Sequence, residues 1–98
     1  VIVDIVKRLK ENEAKGKAIV HIFNPYGTGN WFLSEVDDNR VAFGLCDLGY
    51  PELGYVDLNE LKDIKIPLSG YEFSLEEDSM FEPKELTKIK LKREQVNE

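Results

Sequence analysis

Apolar and polar positions form their clearest strand pattern between Trp31 and Cys46, in the stretch WFLSEVDDNRVAFGLC. Two runs rich in aromatic and β-branched residues flank Asp37-Asp38-Asn39-Arg40, a cluster that favours turning over extending. That is the pattern of an antiparallel β-hairpin. With Asp38-Asn39 at the tip, Val36 faces Val41, Ser34 faces Phe43 and Phe32 faces Leu45. One face then carries Phe32, Val36, Val41, Phe43 and Leu45, with Ser34 its only polar member. The other carries Trp31, Leu33, Glu35, Ala42 and Gly44. A slip of one residue would send the first set into water, so burial of that face is expected to fix the pairing.

Elsewhere the patterning is shorter. Ile2, Ile5, Val6 and Leu9 recur at helical spacing while Lys7, Arg8, Lys10 and Glu11 face away, which predicts a helix over Val1 to Asn12. It ends before Gly16, a residue able to take positive φ. Lys17 to Phe23 is almost continuously apolar after its first residue and reads as a strand placed centrally in the sheet. Asn24 to Asn30 (NPYGTGN) and Asp47 to Leu53 are loops, and Gly54 to Val56 is a short strand. Asp57 reads as a helix N-cap, with Glu60 three residues on to complete a capping box. Leu58 and Leu61 are the buried side of that helix. Ile64–Pro67 and Tyr71–Leu75 predict strands either side of a Leu68-Ser69-Gly70 turn, and Met80 to Pro83 is expected to be extended. From Lys84 onward, Leu86, Ile89 and Leu91 support a short helix. The fold expected is α+β: an antiparallel sheet of four to six strands built around the central hairpin, with two or three short helices. Residues 1–98 are expected to form a single domain, with residues 93–98 frayed.

Charge changes the picture more than composition does. The net charge is −6, but residues 35–82 hold three bases and thirteen acids, whereas residues 1–34 and 83–98 each carry +2. An acidic middle weighs against direct nucleic-acid binding, which needs cationic surface to displace counterions. It suits either solubility or a protein partner with a basic surface of the kind nucleic-acid-binding proteins carry. No apolar run reaches the ~20 residues of a membrane-spanning helix, and none reads as a signal peptide. One Cys excludes an internal disulfide and suits a reducing, cytoplasmic setting.

Candidate chemistry is sparse. The glycines at 27 and 29 follow a strand, but no Lys and Ser or Thr follow them and no helix does, so the loop reads as a hairpin connection and not a phosphate cradle. His21 is the only histidine, and reads as a packed, hydrogen-bonded residue sharing a face with Ile19 and Phe23. Cys46 would be a nucleophile only with His21 in reach. With no cationic neighbour in view, it reads as a small buried hydrophobe. Asp37-Asp38 and Glu76-Glu77-Asp78 are adjacent acids, which do not converge as a metal site requires. They read as solvated surface, and no metal or cofactor is expected. Of the ten aromatics, Phe23, Phe32, Phe43 and Tyr55 are the expected core. Tyr26, Trp31 and Tyr50 lie at strand ends or in loops, where large aromatics are enriched at interfaces. For Trp31 the alternative is plugging the hairpin's second face beneath a helix.

The chain also resembles a known family. HIF at His21–Phe23, NWFLSEVDD at Asn30–Asp38, VAFGL at Val41–Leu45, ELGYVDLNELKDIK at Glu52–Lys65 and EEDSMFEPK at Glu76–Lys84 are similar to the bacterial family called domain of unknown function 2958. The resemblance covers roughly residues 15 to 90. The chain departs from the family at Asn30, where Asp is usual, at Leu45, where Tyr is frequent, and at Leu53, where Trp is frequent. The resemblance implies a setting and not a reaction: accessory proteins of conjugative plasmids and other mobile elements, among which antagonists of host defence are common. The expectation is therefore a non-catalytic, acidic protein-binding module that inhibits a host defence system. Its candidate contacts are Tyr26, Trp31, Asp37, Asp38, Tyr50, Glu76, Glu77 and Asp78. The alternatives are a small enzyme of unidentified reaction and a nucleic-acid-binding module using the basic stretch Lys84 to Arg93.

Overall fold

The computed structural model describes residues 2–96. In chain order these form α1 (Ile2–Glu11), β1 (Lys17–Ala18), β2 (Val20–Phe23), β3 (Asn30–Val36), β4 (Val41–Asp47), β5 (Pro51–Asp57), α2 (Leu58–Lys62), β6 (Ile66–Leu68), β7 (Tyr71–Phe73), β8 (Glu76–Glu77), β9 (Lys84–Glu85) and α3 (Leu86–Val96). Five strands make an antiparallel sheet in the order β5-β4-β3-β2-β8, and β1–β9 and β6–β7 form two-stranded ribbons. The architecture is α+β, as the patterning predicts.

The hairpin forms, with a changed tip. Asp37 and Val41 close a loop of three residues, Asp38 to Arg40: the Asp37 amide donates to the Val41 carbonyl at 3.0 Å. Asp37 Oδ1 accepts from the amides of Asn39 (2.8 Å) and Val41 (2.9 Å). Arg40 takes the left-handed position at φ 63, the three-residue turn that ends in a left-handed residue. The expected two-residue tip at Asp38-Asn39 is therefore corrected. The pairs nearest the tip are Val36↔Ala42 and Glu35↔Phe43, in place of Val36–Val41 and Ser34–Phe43. A β-bulge between Leu33 and Glu35 then absorbs the extra residue, and Phe32↔Leu45 and Trp31↔Cys46 pair as expected.

That bulge redistributes the faces. Val36 packs with Trp31, Leu33 and Ala42 and not with Phe32 and Leu45. Ser34 is fully buried, its hydroxyl donating to the Phe43 carbonyl at 3.3 Å. The Asn12 amide reaches in to donate to the carbonyls of Ser34 (2.8 Å) and Lys17 (3.1 Å). Opposite, the backbone closes on Gly44 so tightly that a Cβ there would collide with the Phe32 carbonyl and stand 2.8 Å from Leu33 Cα.

Both faces of the sheet are covered. α1 and α2 supply Ile5, Leu9, Leu58 and Leu61 to a core with Val20, Ile22, Trp31, Leu33 and Ala42. On the other face α3 lays Leu86 and Ile89 over Ala18, Phe32 and Leu45. The face expected to be second is thus the larger core. Of the aromatics expected inside, Phe32 is buried, Phe23 and Phe43 are half-buried and Tyr55 is 75% exposed. Tyr55 is outside because β5 is an edge strand and α3 covers Phe32 and Leu45, not the end of the sheet near the hairpin tip.

Smaller corrections have local causes. The strand expected over Lys17–Phe23 breaks at Ile19, whose side chain packs toward α1 while His21 stays on the α3 side. The acids Glu76-Glu77 form a strand beside β2. Met80 lies in a turn in which its amide donates to Asp78 Oδ1 at 3.0 Å, so the extended run begins at Phe81. Ser69 and Gly70, both at positive φ, make the β6–β7 turn. Leu91 is exposed, being off the stripe of Leu86 and Ile89. α3 continues to Val96, into the stretch expected to fray, and residues 97–98 lie outside the described residues.

Candidate functional site

The candidate contacts divide between the two ends of the sheet. Tyr26 and Tyr50 lie in the loops at the Asn30 end of β3, and Glu76 pairs with Phe23 at that same end. Asp37 and Asp38 lie at the hairpin tip, beyond Val36. The seven residues of β3 separate them, roughly 20 Å at ~3.3 Å per residue. The acids therefore do not make one patch.

Several are also engaged within the chain. Asp37 holds the tip, as described. Asp38 accepts a hydrogen bond from Lys10, which, with the ammonium's charge, lowers its pKa below the ordinary carboxylate value. Arg8 forks onto both oxygens of Glu77, at 2.8 and 2.7 Å, and fastens α1 to β8. Glu76 and Asp37 in this set are exposed and without an ion-pair partner among the described residues, and Asp37 is occupied by the two tip amides. The reading of Glu77 and Asp78 as solvated surface is corrected: both are half-buried, because β8 joins the sheet.

Trp31 is 6% exposed, in one core cluster with Ile5, Leu9 and Ile22. It plugs the hairpin's second face beneath α1, and its place among the contact residues is corrected. Tyr26 is half exposed and packs on Phe73 at 4.8 Å, joining the β2–β3 loop to the β6–β7 ribbon. Tyr50 is 63% exposed.

His21 is held by both polar and aromatic contacts. Its Nε2 lies 2.8 Å from Asn30 Oδ1 and its Nδ1 lies 3.3 Å from Asp78 Oδ2. The ring stacks on Phe32 at 4.3 Å and 8°, with Phe81 at 5.6 Å. The Asp78 amide donates to the His21 carbonyl at 2.8 Å. These contacts tie the segment after β8 to the sheet. Cys46 packs with the cluster on the opposite face, so a Cys46–His21 pair is not formed. Burial, and then the nearby Glu52 carboxylate, push the Cys46 thiol pKa up, away from the thiolate that nucleophilic chemistry needs. Among the described residues, no three of His, Cys, Asp and Glu come together as metal ligands.

One surface was missed by sequence reasoning. β5 pairs with β4 and forms an edge of the sheet. Along it Leu53 is 44% and Tyr55 75% exposed, with Leu48 and Tyr50 exposed in the loop that leads in. Edge strands are usually blunted by lysine, proline or bulges. Here Pro51 stands at the first position, Glu52 follows, and no base occurs in Pro51–Asp57. α2 continues from this strand and presents Glu60 and Asp63 to solvent. The spacing of Leu53 and Tyr55 is legible in the sequence, but which strand has no outer neighbour is not.

A family model described as protein of unknown function (DUF2958) matches residues 2–94 of the chain. No curated protein and no solved structure matches it.

Proposed function

The chain belongs to the DUF2958 family of proteins of unknown function, and we propose that it is a non-catalytic protein-binding module whose docking surface is the open edge of β5. The observation that carries this reading is an edge strand that carries no lysine after the Pro51 at its start, with Leu53 and Tyr55 exposed and Tyr50 beside it. Such an edge offers a row of backbone donors and acceptors to an incoming strand, while alternate side chains supply specificity. Glu52 on the strand, Glu60 on the adjoining helix and Asp63 at that helix's C-terminal cap favour a basic partner. The mobile-element setting implied by the family resemblance makes that partner a host defence protein, which the module inhibits by occupying it.

The test is affinity capture from nuclease-treated bacterial lysate, comparing the native chain with a Leu53→Lys/Tyr55→Lys variant whose fold is verified by circular dichroism. A protein retained by the native chain and lost by the variant is expected. Capture of the same protein by both would remove the β5 edge from the reading. Substrate turnover that co-purifies with the chain and disappears in His21→Ala would overturn the non-catalytic assignment.

A further inference from the structure

Beside α3, on the opposite side of the sheet from α1, lies a cleft of about 260 Å³. Phe32 and Ile89 line its inner part, Phe81 is half-buried beside them, and Lys84, Lys88, Lys92 and Arg93 complete it. Among the described residues no acidic side chain lines it. The fold brings these cations together from two elements. Lys84 comes from β9, held by pairing with β1, and Lys88 and Lys92 are one helical repeat apart on α3, on the same side.

Arg93 is committed elsewhere: its Nε donates to the buried Asp47 at 2.6 Å, and its guanidinium carbon stands 5.1 Å from the centre of the Phe32 ring. Lys88 has Glu85 at 3.7 Å, but both side chains are well exposed, and such a pair is weak. Lys84 and Lys92 have no ion-pair partner among the described residues. Like charges crowded around an aromatic-lined recess repel one another, and nothing in the packing of α3 requires them, since Leu86 and Ile89 already bury its inner face. An anion would relieve that repulsion, and a flat ring would find the Phe81 side chain to lie against.

We infer that this cleft binds a nucleotide unit, with its base against Phe81 and its phosphate held by Lys84, Lys88 and Lys92. The combination of a basic track with an aromatic platform is how unpaired nucleotides are held without sequence preference. A paired duplex hides its base faces and does not fit. The chain's net charge of −6 does not forbid this. Residues 83–98 carry +2, and at physiological salt exposed charges more than about 8 Å away are largely screened, so the local balance at the cleft is cationic. The nucleotide can be free or part of a single strand.

Calorimetric titration of the full chain at physiological salt separates the cases, with ADP, inorganic tripolyphosphate, a short thymidine oligonucleotide and a duplex of the same length as probes. Saturable binding of ADP or of the oligonucleotide is expected, the tighter of the two naming the source. Lys88→Gln/Lys92→Gln, both at exposed positions, should weaken it about tenfold or more while melting as the native chain does. Phe81→Leu should cost about tenfold for nucleotide and little for tripolyphosphate. Amide shifts of Phe81, Lys84, Lys88 and Lys92 in NMR spectra should map the contact. No saturable binding of either nucleotide probe, equal affinity in the lysine variant, tripolyphosphate binding as tight as ADP, or a preference for duplex would each overturn the inference.

Discussion

Asn12 lies in the loop after α1, yet its side chain stabilises the central hairpin. It donates to the carbonyl of Ser34, which the β-bulge leaves without a strand partner, and to the Lys17 carbonyl of β1. Asn12→Ala should therefore destabilise the chain by about 1–3 kcal/mol, the cost of leaving a buried acceptor unpaired, as read by urea denaturation. A change below ~0.5 kcal/mol would mean that water replaces the amide. The two hairpin aromatics should separate in the same assay. Trp31→Ala empties a buried site and is expected to cost about 3–5 kcal/mol, whereas Phe43→Ala, half-buried beside the exposed Tyr55, should cost clearly less. Equal losses would place the main core on the wrong face. Cys46 offers a pH test. Its pKa is raised in the folded chain, so the protonated thiol is the form the fold favours. The corresponding stability is present at neutral pH and is lost as pH climbs through the alkaline range where the thiol ionises. Iodoacetamide should accordingly alkylate folded Cys46 only at higher pH than the urea-unfolded chain requires, and coincident pH profiles would contradict the burial.

Among the elements, α2 is the shortest helix and depends most on its ends. Asp57 accepts from the Asn59 amide at 2.8 Å and caps it, as its position before Glu60 predicts. No hydrogen bond returns from Glu60 to Asp57 among the described residues, so half of the expected capping box is made. Asp57→Ala should cost about 0.5–2 kcal/mol, and Glu60→Ala should cost much less. The reverse order in thermal melts would mean that the cap works through the helix dipole and not through the side-chain bond. The element hardest to foresee was β8. Two adjacent glutamates have little strand propensity, and their place beside β2 is secured by Arg8 gripping Glu77 and by His21 meeting Asp78, contacts 69 and 57 residues apart in sequence.

At the scale of the whole molecule, charge and apolar exposure are distributed unevenly. The β5–α2 side carries exposed Glu52, Glu60 and Asp63, with one lysine, Lys62, and exposed Leu53 and Tyr55, while β9 and α3 carry the cleft lysines Lys84, Lys88 and Lys92. If a basic protein docks on the β5 edge, raising salt from low to physiological should slow its association, because steering between exposed charges fades as the Debye length falls to about 8 Å. Dissociation should respond instead to Tyr55→Ala. Stopped-flow or biolayer kinetics on the captured partner would show the split. An association rate indifferent to salt would leave the acidic surface as a solubility feature alone.

Local chemistry by itself determined much of this protein. The hairpin from Trp31 to Cys46, the helix at its start, the Asp57 cap, the Ser69-Gly70 turn and the α+β class all follow from periodicity and turn residues acting over a few positions. Family membership was legible too, in motifs such as NWFLSEVDD and ELGYVDLNELKDIK. What only the tertiary structure decided are matters of long range. A three-residue turn compensated by a bulge put Val36 on the other face, because a register is a sum over both strands and a one-residue change inverts every side chain on one side of it. Covering both faces with helices sent Trp31 inside. Leaving β5 without an outer neighbour sent Tyr55 outside, although the two residues look alike in sequence. The lysines of α3 became a cleft, and not a solvated stripe, only because Phe81 and Phe32 were brought against them from elsewhere in the chain.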